Sequence, residues 1–284
     1  MSIKAVDVKN LREKTGLGMM ECKKALEESQ GNLEEAITNL RKNSALKAEK
    51  KSSRTAVEGI IVAEKKENAI VFVEINCETD FVAKDNNFID FCNESLNFAI
   101  ENLDKENLLE EVSNGMEEKR MSLVQKIGEN VIVRKVEKLT GKILAFYIHS
   151  NKKIAAGVAF NTGEENVAKE IAMHVAASNP LVLSPNDLDE NYINREREIF
   201  KSQVEKEEKP VDILEKMIEG KLNKQLSDVS LLKQPFVKDP SKKIEAFLSE
   251  TSSEISSFIR IEIGEGIEVE KKDFAQEVKS QLEG

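Results

Sequence analysis

His149 and His174 are the two imidazoles of the 284-residue chain, and Cys22, Cys77 and Cys92 are its three thiols. Nucleophilic or general acid–base chemistry needs such groups beside a partner that tunes them. None stands nearby in sequence. His174 falls in the helical run IAMHVAAS, the setting of a packed, hydrogen-bonded core histidine, and His149 closes a strand. There is no local Ser-His-Asp or Cys-His motif. The histidines and cysteines lack zinc spacing, and the many acidic pairs lie on solvated helix faces. The Gly-rich stretch TGLGMM (15–20) is not a phosphate loop: it lacks the Gly-Lys-Ser/Thr ending, and no strand precedes it. It reads as a tight turn between helices. Met19 and Met20 beside it serve equally well as core residues or as an adaptable contact. No catalytic residue, metal site or cofactor is expected.

The stretch INCETDFVAK (75–84) poses a different question. An apolar run ends at Ile75, a polar turn follows, and Phe81 and Val82 come directly after Asp80. Aromatic bulk is scarce, with twelve Phe, two Tyr and no Trp. A phenylalanine at a loop tip either packs inward or offers an apolar surface to a partner.

The formal charge of −10 argues against a nucleic-acid coat, which needs clustered Lys and Arg. Three cysteines without C-x-x-C spacing fit reduced thiols in a cytosol. No apolar run reaches the length of a membrane span, and the first ten residues lack a signal-peptide pattern. The expected location is the cytoplasm, with no membrane partner.

The periodicities predict the elements that position these residues. Residues 5–42 read as three short helices, the third capped by Asn32 with Glu35 as capping-box partner. RKNSALKAEKKSSRT (41–55) reads as a basic, partly helical linker. VEGIIVAEKK and AIVFVEIN alternate as a hairpin turning near Glu67 and Asn68, and two helices follow. Three more strands lead to the helix EENVAKEIAMHVAAS, ended by Pro180. In each half a hairpin is followed by a Val-Ala-Lys tripeptide opening a helix, at Val82–Lys84 and Val167–Lys169, which hints at two related subdomains. Beyond Asp187 a charged segment with a thin apolar stripe predicts a helical hairpin. PSKKIEAFLSE reads as a helix with Pro240 at its start, and ISSFIRIEIGEG as a strand. The last residues read as a helix with Phe274, Val278 and Leu282 on one stripe. The expected class is α+β.

LREKTGLGMMECKKAL (11–26) and NCETDFVAKD (76–85) resemble signatures of the bacterial elongation factor Ts family, nucleotide exchange factors for the GTPase elongation factor Tu. KIGENVIVRK, IAMHVAASNP, VSLLKQPFV and SFIRIEIGEGIE extend the match over essentially the whole chain, in order. The resemblance implies an N-terminal module similar to ubiquitin-associated domains, a core of two α+β subdomains, an inserted helical hairpin and a C-terminal helix. With the residue patterns, this divides the chain into 1–54, 55–140, 141–186 with 228–263, 187–227 and 264–284.

The resemblance also implies a site. Asp80 and Phe81, flanked by Thr79 and Val82, would enter the nucleotide-binding domain of elongation factor Tu beside its Mg²⁺. Phe81 would be the wedge and Asp80 would fix the loop. Arg12, Met19 and Met20 would touch the same domain, and His149 another domain of the partner. The segment after His149, SNKKIAAGVAF, lacks the glycine that the family carries just after this histidine. The partner would be met both GDP-bound and nucleotide-free, with no covalent chemistry. The hairpin would serve a homodimer in some members. Two rival readings come from the residues alone: an RNA-binding translation accessory protein working through the basic stretch 41–54, and an enzyme using Cys77 or His149.

Overall fold

A computed structural model describes residues 3–204 and 210–268. The C-terminal stripe of Phe274, Val278 and Leu282 lies outside the described residues. The described residues form two compact units: those up to 62, 72–137 and those from 262 to 268 make one, 63–71 and those within 138–261 the other.

The first unit opens with α1 (Ala5–Thr15), α2 (Met19–Glu28) and α3 (Leu33–Lys51). Val8, Leu11, Leu17, Cys22, Leu26, Ala36 and Leu40 form their shared core. Gly16 stops α1 in the left-handed region at φ 68°, and its N–H bonds the Arg12 carbonyl. Asn32 caps α3 by accepting from the N–H groups of Glu34 and Glu35 at 3.1 and 3.2 Å. The expected return bond from Glu35 is not made, because the Asn32 N–H is taken by the Ser29 carbonyl at 2.8 Å.

The stretch read as a partly helical linker is helix as far as Lys51. Two of its small residues, Ser44 and Ala48, are buried. They face α5 (Leu108–Ile127), against which α3 packs. Ser44 bonds Gln125, the Lys51 ammonium donates to the Gly128 carbonyl, and Arg41 pairs with Glu118 at 2.9 Å. Close helix approach selects small side chains, and these imitate a linker in composition.

The hairpin β1 (Glu58–Lys66) and β2 (Ala69–Cys77) turns at Glu67 and Asn68, with Glu67 at φ 53°. All nine residues of β2 are buried, as a central strand covered on both faces must be. Gly59 is required where β1 crosses it: an added Cβ would stand 2.1 Å from the Ile75 carbonyl oxygen. A single 3-10 turn (Val82–Lys84) leads into α4 (Asn86–Glu101), which buries Phe88, Phe91, Cys92, Leu96 and Ala99 and packs on α5. β3 (Val131–Thr140) adds to β2, giving the order β1-β2-β3.

In the second unit β4 (Ile143–Ile148) and β5 (Ile154–Thr162) pair antiparallel, with Ile143 opposite Phe160 and Ile148 opposite Ala155. α6 (Glu165–Ser178) packs across both strands. It ends at Asn179 in the left-handed region, one residue before Pro180. Val167–Lys169 lies inside α6, whereas Val82–Lys84 is a separate turn ahead of α4. The tripeptides are therefore not structural equivalents, although a hairpin leads to a helix in both cases. α7 (Glu190–Val204) and α8 (Val211–Asp228) pack as a pair, joined by Arg197–Glu219 and by Gln225 to Tyr192. Val204 and Leu222 are buried, while Ile199, Val211 and Ile213 stay exposed.

β6 (Pro235–Phe236) and β7 (Asp239–Lys243) form a two-stranded ribbon. Pro240 sits in β7 and not at a helix start; in a two-stranded ribbon every strand is an edge, where proline is tolerated. α9 (Ile244–Glu250) begins four residues later, and β8 (Glu254–Glu262) joins β5 in the order β4-β5-β8. The core here unites Val158, Phe160, Ile171, Val175, Leu231, Ile244 and Leu248, with Phe236 and Phe247 stacked at 4.5 Å between ring centroids. Helices and antiparallel sheets lie in separate runs of the chain, an α+β arrangement.

Candidate functional site: the 78–85 loop

Between the end of β2 and the start of α4 the backbone is held at almost every residue. The Glu129 carboxylate accepts from the N–H of Glu78 at 3.1 Å, the N–H of Thr79 at 3.0 Å and the hydroxyl of Thr79 at 2.7 Å. Glu78 answers by accepting from the N–H of Asn130 at 2.7 Å. The Asn130 amide donates in turn to the carbonyls of Ser52 and Arg54. The Thr79 carbonyl accepts from the Ala83 N–H at 3.2 Å and from the Cys77 thiol at 3.2 Å. Asp85 closes the loop as cap of α4, accepting from the Asn87 N–H at 2.8 Å. Hydrogen bonds from the Asn87 side chain, and then from backbone N–H groups, hold the Asp85 carboxyl below its ordinary range.

Val82 and Ala83 point inward and are buried. Phe81 is 82% exposed, the most exposed of the large apolar side chains in the described residues. Its backbone is ordinary right-handed helix at φ −67°, so no strain accompanies the exposure. Beside it the Asp80 carboxylate pairs with Lys84 at 2.8 Å, one turn along. The loop therefore presents a benzyl group flanked by a charged pair, on a backbone fixed from behind.

The other residues singled out from sequence fall in two places. Arg12 is exposed on α1, and Met19 and Met20 stand on the first turn of α2, 50% and 75% exposed. These three share a unit with the loop, whereas His149 belongs to the second unit. It is exposed just past β4, where its Nδ1 meets the Tyr147 hydroxyl at 3.1 Å and its carbonyl accepts from the Lys152 N–H at 2.7 Å. Val82 anchors the loop through its buried side chain, and Thr79 does so through three of its polar groups. Sequence reasoning passed over Glu129 and Asn130. Their partners lie 50 to 78 residues away, and no local spacing marks them.

An active site is not assembled among the described residues. Cys77 is buried, and burial, then the charges of Glu129 and Glu58, push its thiol up to about 12, so at neutral pH it is no nucleophile. His174 is buried, as the helical setting predicts. Its Nδ1 accepts from the Val237 N–H at 3.2 Å, so Nε2 carries the proton and donates to Gln234 at 2.9 Å. Burial depresses its pKa, with the Gln234 bond opposing. A cleft of about 320 Å³ between the first helices and α5 is lined by Leu17, Ile37, Leu40 and Met121, with neither histidine nor cysteine. No cluster of three His, Cys, Asp or Glu suited to a metal ion occurs among the described residues. No described helix is long and apolar enough to cross a membrane. The basic stretch 41–54 has much of its charge engaged internally: Arg41 with Glu118, Lys47 with Glu21 at 2.5 Å, Lys51 with Gly128, and Arg54 with Glu78 at 3.5 Å.

Comparison with known proteins bears on what this loop serves. A family model described as "Elongation factor TS" matches residues 78–265. The elongation factor Ts of Marinobacter nauticus is 50% identical over 281 residues, covering 98% of this chain and 96% of its own. That of Hahella chejuensis is 46% identical over 288 residues, covering 100% and 99%. That of Pasteurella multocida is 47% identical over 271 residues, covering 95% of each.

Proposed function

The chain belongs to the elongation factor Ts family of translation elongation factors, and from that premise we propose that it promotes GDP release from elongation factor Tu in the cytoplasm, with the 78–85 loop as the inserted element. The observation that carries this reading is Phe81. A benzyl group 82% exposed on a backbone tied down at Glu78, Thr79 and Asp85 is ready to enter a pocket in another protein. Flexible loops lose entropy when they dock; this one has little left to lose.

The mechanism is a thermodynamic coupling. A factor that binds the nucleotide-free partner better than the GDP-bound one must weaken GDP by the same ratio. An apolar wedge next to the partner's Mg²⁺ displaces groups that hold the ion, and the ion supplies much of the affinity for phosphate. Phe81 provides the wedge. Asp80, paired with Lys84, sets polar groups beside it for contacts with the partner. Arg12, Met19 and Met20 add a contact on the same partner domain, and His149 one elsewhere on the partner. No bond is made or broken, so the protein is not an enzyme in the strict sense. GTP rebinding expels the factor by the same reciprocity.

The test is stopped-flow release of a fluorescent GDP analogue from elongation factor Tu, with this protein titrated in. Release that accelerates and saturates is the expected result. Binding without acceleration would overturn the exchange reading.

A further inference from the structure

We propose that Glu129 is a positioning residue for exchange, acting on the partner only through the orientation it gives Phe81. The inference rests on the exchange reading above and assigns a part to a residue that would not itself touch the partner. Glu129 stands between the end of α5 and the start of β3. One of its oxygens takes the consecutive N–H groups of Glu78 and Thr79, and the other takes the Thr79 hydroxyl. Consecutive N–H groups converging on one carboxylate oxygen form a charge-assisted concavity that fixes two peptide planes at once. The Glu78 carboxylate returns a bond to the Asn130 N–H, so the two chain segments cap each other.

Phe81 lies two residues beyond. At 82% exposure its side chain has almost nothing of its own to rest on, so where its Cα–Cβ bond points, and hence which rotamers can reach a partner, is set by the backbone. That backbone is anchored at Asp85 on one side and through Thr79 on the other. Without Glu129 the Thr79 end keeps its carbonyl bonds and the long bond that its hydroxyl accepts from the Val82 N–H at 3.4 Å, but nothing ties it to the chain behind, and the loop that carries the ring loses its fixed direction.

The experiment is a double-mutant cycle in the full-length protein: wild type, Glu129→Ala, Phe81→Ala and the pair, each assayed for maximal GDP-analogue release. Amide hydrogen exchange of Glu78 and Thr79 is read on the free proteins. Glu129→Ala is expected to lower the maximal rate about tenfold or more, but by less than about twofold once Phe81 is gone, because effects through one residue do not add. Glu129→Gln, which keeps an oxygen for both N–H groups, should restore most of the rate and most of the amide protection. A merely structural Glu129 would give losses that multiply in the pair, and that outcome overturns the proposal, as does a Glu129→Ala variant that exchanges like wild type. If Glu129→Ala does not fold, Glu129→Asp, which draws the carboxylate back from the Glu78 and Thr79 N–H groups by one methylene and leaves the Thr79 hydroxyl its bond from Val82, takes its place in the cycle. If wild type itself releases no nucleotide, the exchange reading fails on its own. Amide exchange then judges the positioning: unprotected Glu78 and Thr79 amides in wild type would overturn it too.

Discussion

Replacing Phe81 by alanine removes an apolar side chain that contributes almost nothing to the fold and, on the present reading, much to the partner complex. Fully burying a phenylalanine is worth about 1.5–3 kcal/mol. Here 82% of that surface remains open in the free protein. Truncation also leaves a void in the pocket that receives the ring, and core Phe→Ala changes cost about 3–5 kcal/mol for that reason. A value of about 2–3 kcal/mol on the nucleotide-free complex is therefore reasonable, which at 1.36 kcal/mol per decade is about 30- to 150-fold. Stability should change by less than about 0.5 kcal/mol, as for other exposed positions. Stopped-flow release at saturating factor, alongside urea unfolding, measures both. The loss should fall on the maximal rate more than on the half-saturating concentration, because the wedge contact strengthens as GDP leaves. Phe81→Leu should fall between. An alanine variant that unfolds like wild type and exchanges within about threefold of it would refute the wedge.

Three further outcomes follow from the interior. Cys77, its thiol pushed up to about 12 by burial and by neighbouring carboxylates, should resist iodoacetamide at pH 8 in the folded protein and react once urea unfolds it; fast labelling of the native state would contradict the burial. His174 has a folded pKa depressed below its ordinary value, so its share of stability is complete above about pH 6.5 and is lost as pH falls and the unfolded chain takes up a proton that the fold refuses. Unfolding free energies at pH 7 and 5.5 should therefore differ less in His174→Gln than in wild type, and equal slopes would sink the idea. Glu74 is fully buried, with Arg134 at 2.9 Å, the Gly264 N–H at 3.0 Å and Lys135 at 3.9 Å. Glu74→Ala leaves the Gly264 N–H unmatched and leaves Arg134, which is partly exposed, only its bond to the Glu265 carbonyl among the described residues, and should cost about 2–3 kcal/mol in urea unfolding; a loss under about 1 kcal/mol would show the charge to be dispensable.

What the sequence made legible was whatever depends on near neighbours. Val8, Leu11 and Leu26 gave the first helices, alternation gave β1 and β2, and Asn32 gave a cap. The errors arose where a distant segment decided. Ser44 and Ala48 read as linker because α5, sixty residues and more along, is what makes small residues useful there. Pro240 read as a helix start because an edge strand tolerates proline as well as a first helical turn does. The loop itself was visible in CETD, and Phe81 stood out by type. Its outward direction was not given by spacing, since Val82 and Ala83 next to it point inward. Glu129 was silent, because a carboxylate after a helix-ending glycine looks like any solvated acid until its partners are placed.

The unbroken length of α3 has one more consequence. Nineteen helical residues make a rod of about 28 Å. Packed on α1 and α2 through Ala36 and Leu40 and held against α5 from Arg41 to Lys51, the rod cannot swing as a tether would. On the proposed reading, the methionine pair at Met19 and Met20 and the ring of Phe81 would thus act as two jaws of a caliper whose gap is set in advance. If both close on one partner, the second contact is intramolecular and meets a high effective concentration with no search. A caliper also rejects: a surface that fits one jaw but has the wrong span gains nothing from the other. Selectivity for a single partner would then reside in the distance between two ordinary apolar contacts, and inserting a few glycines near Ala45 would erase it while leaving each contact whole.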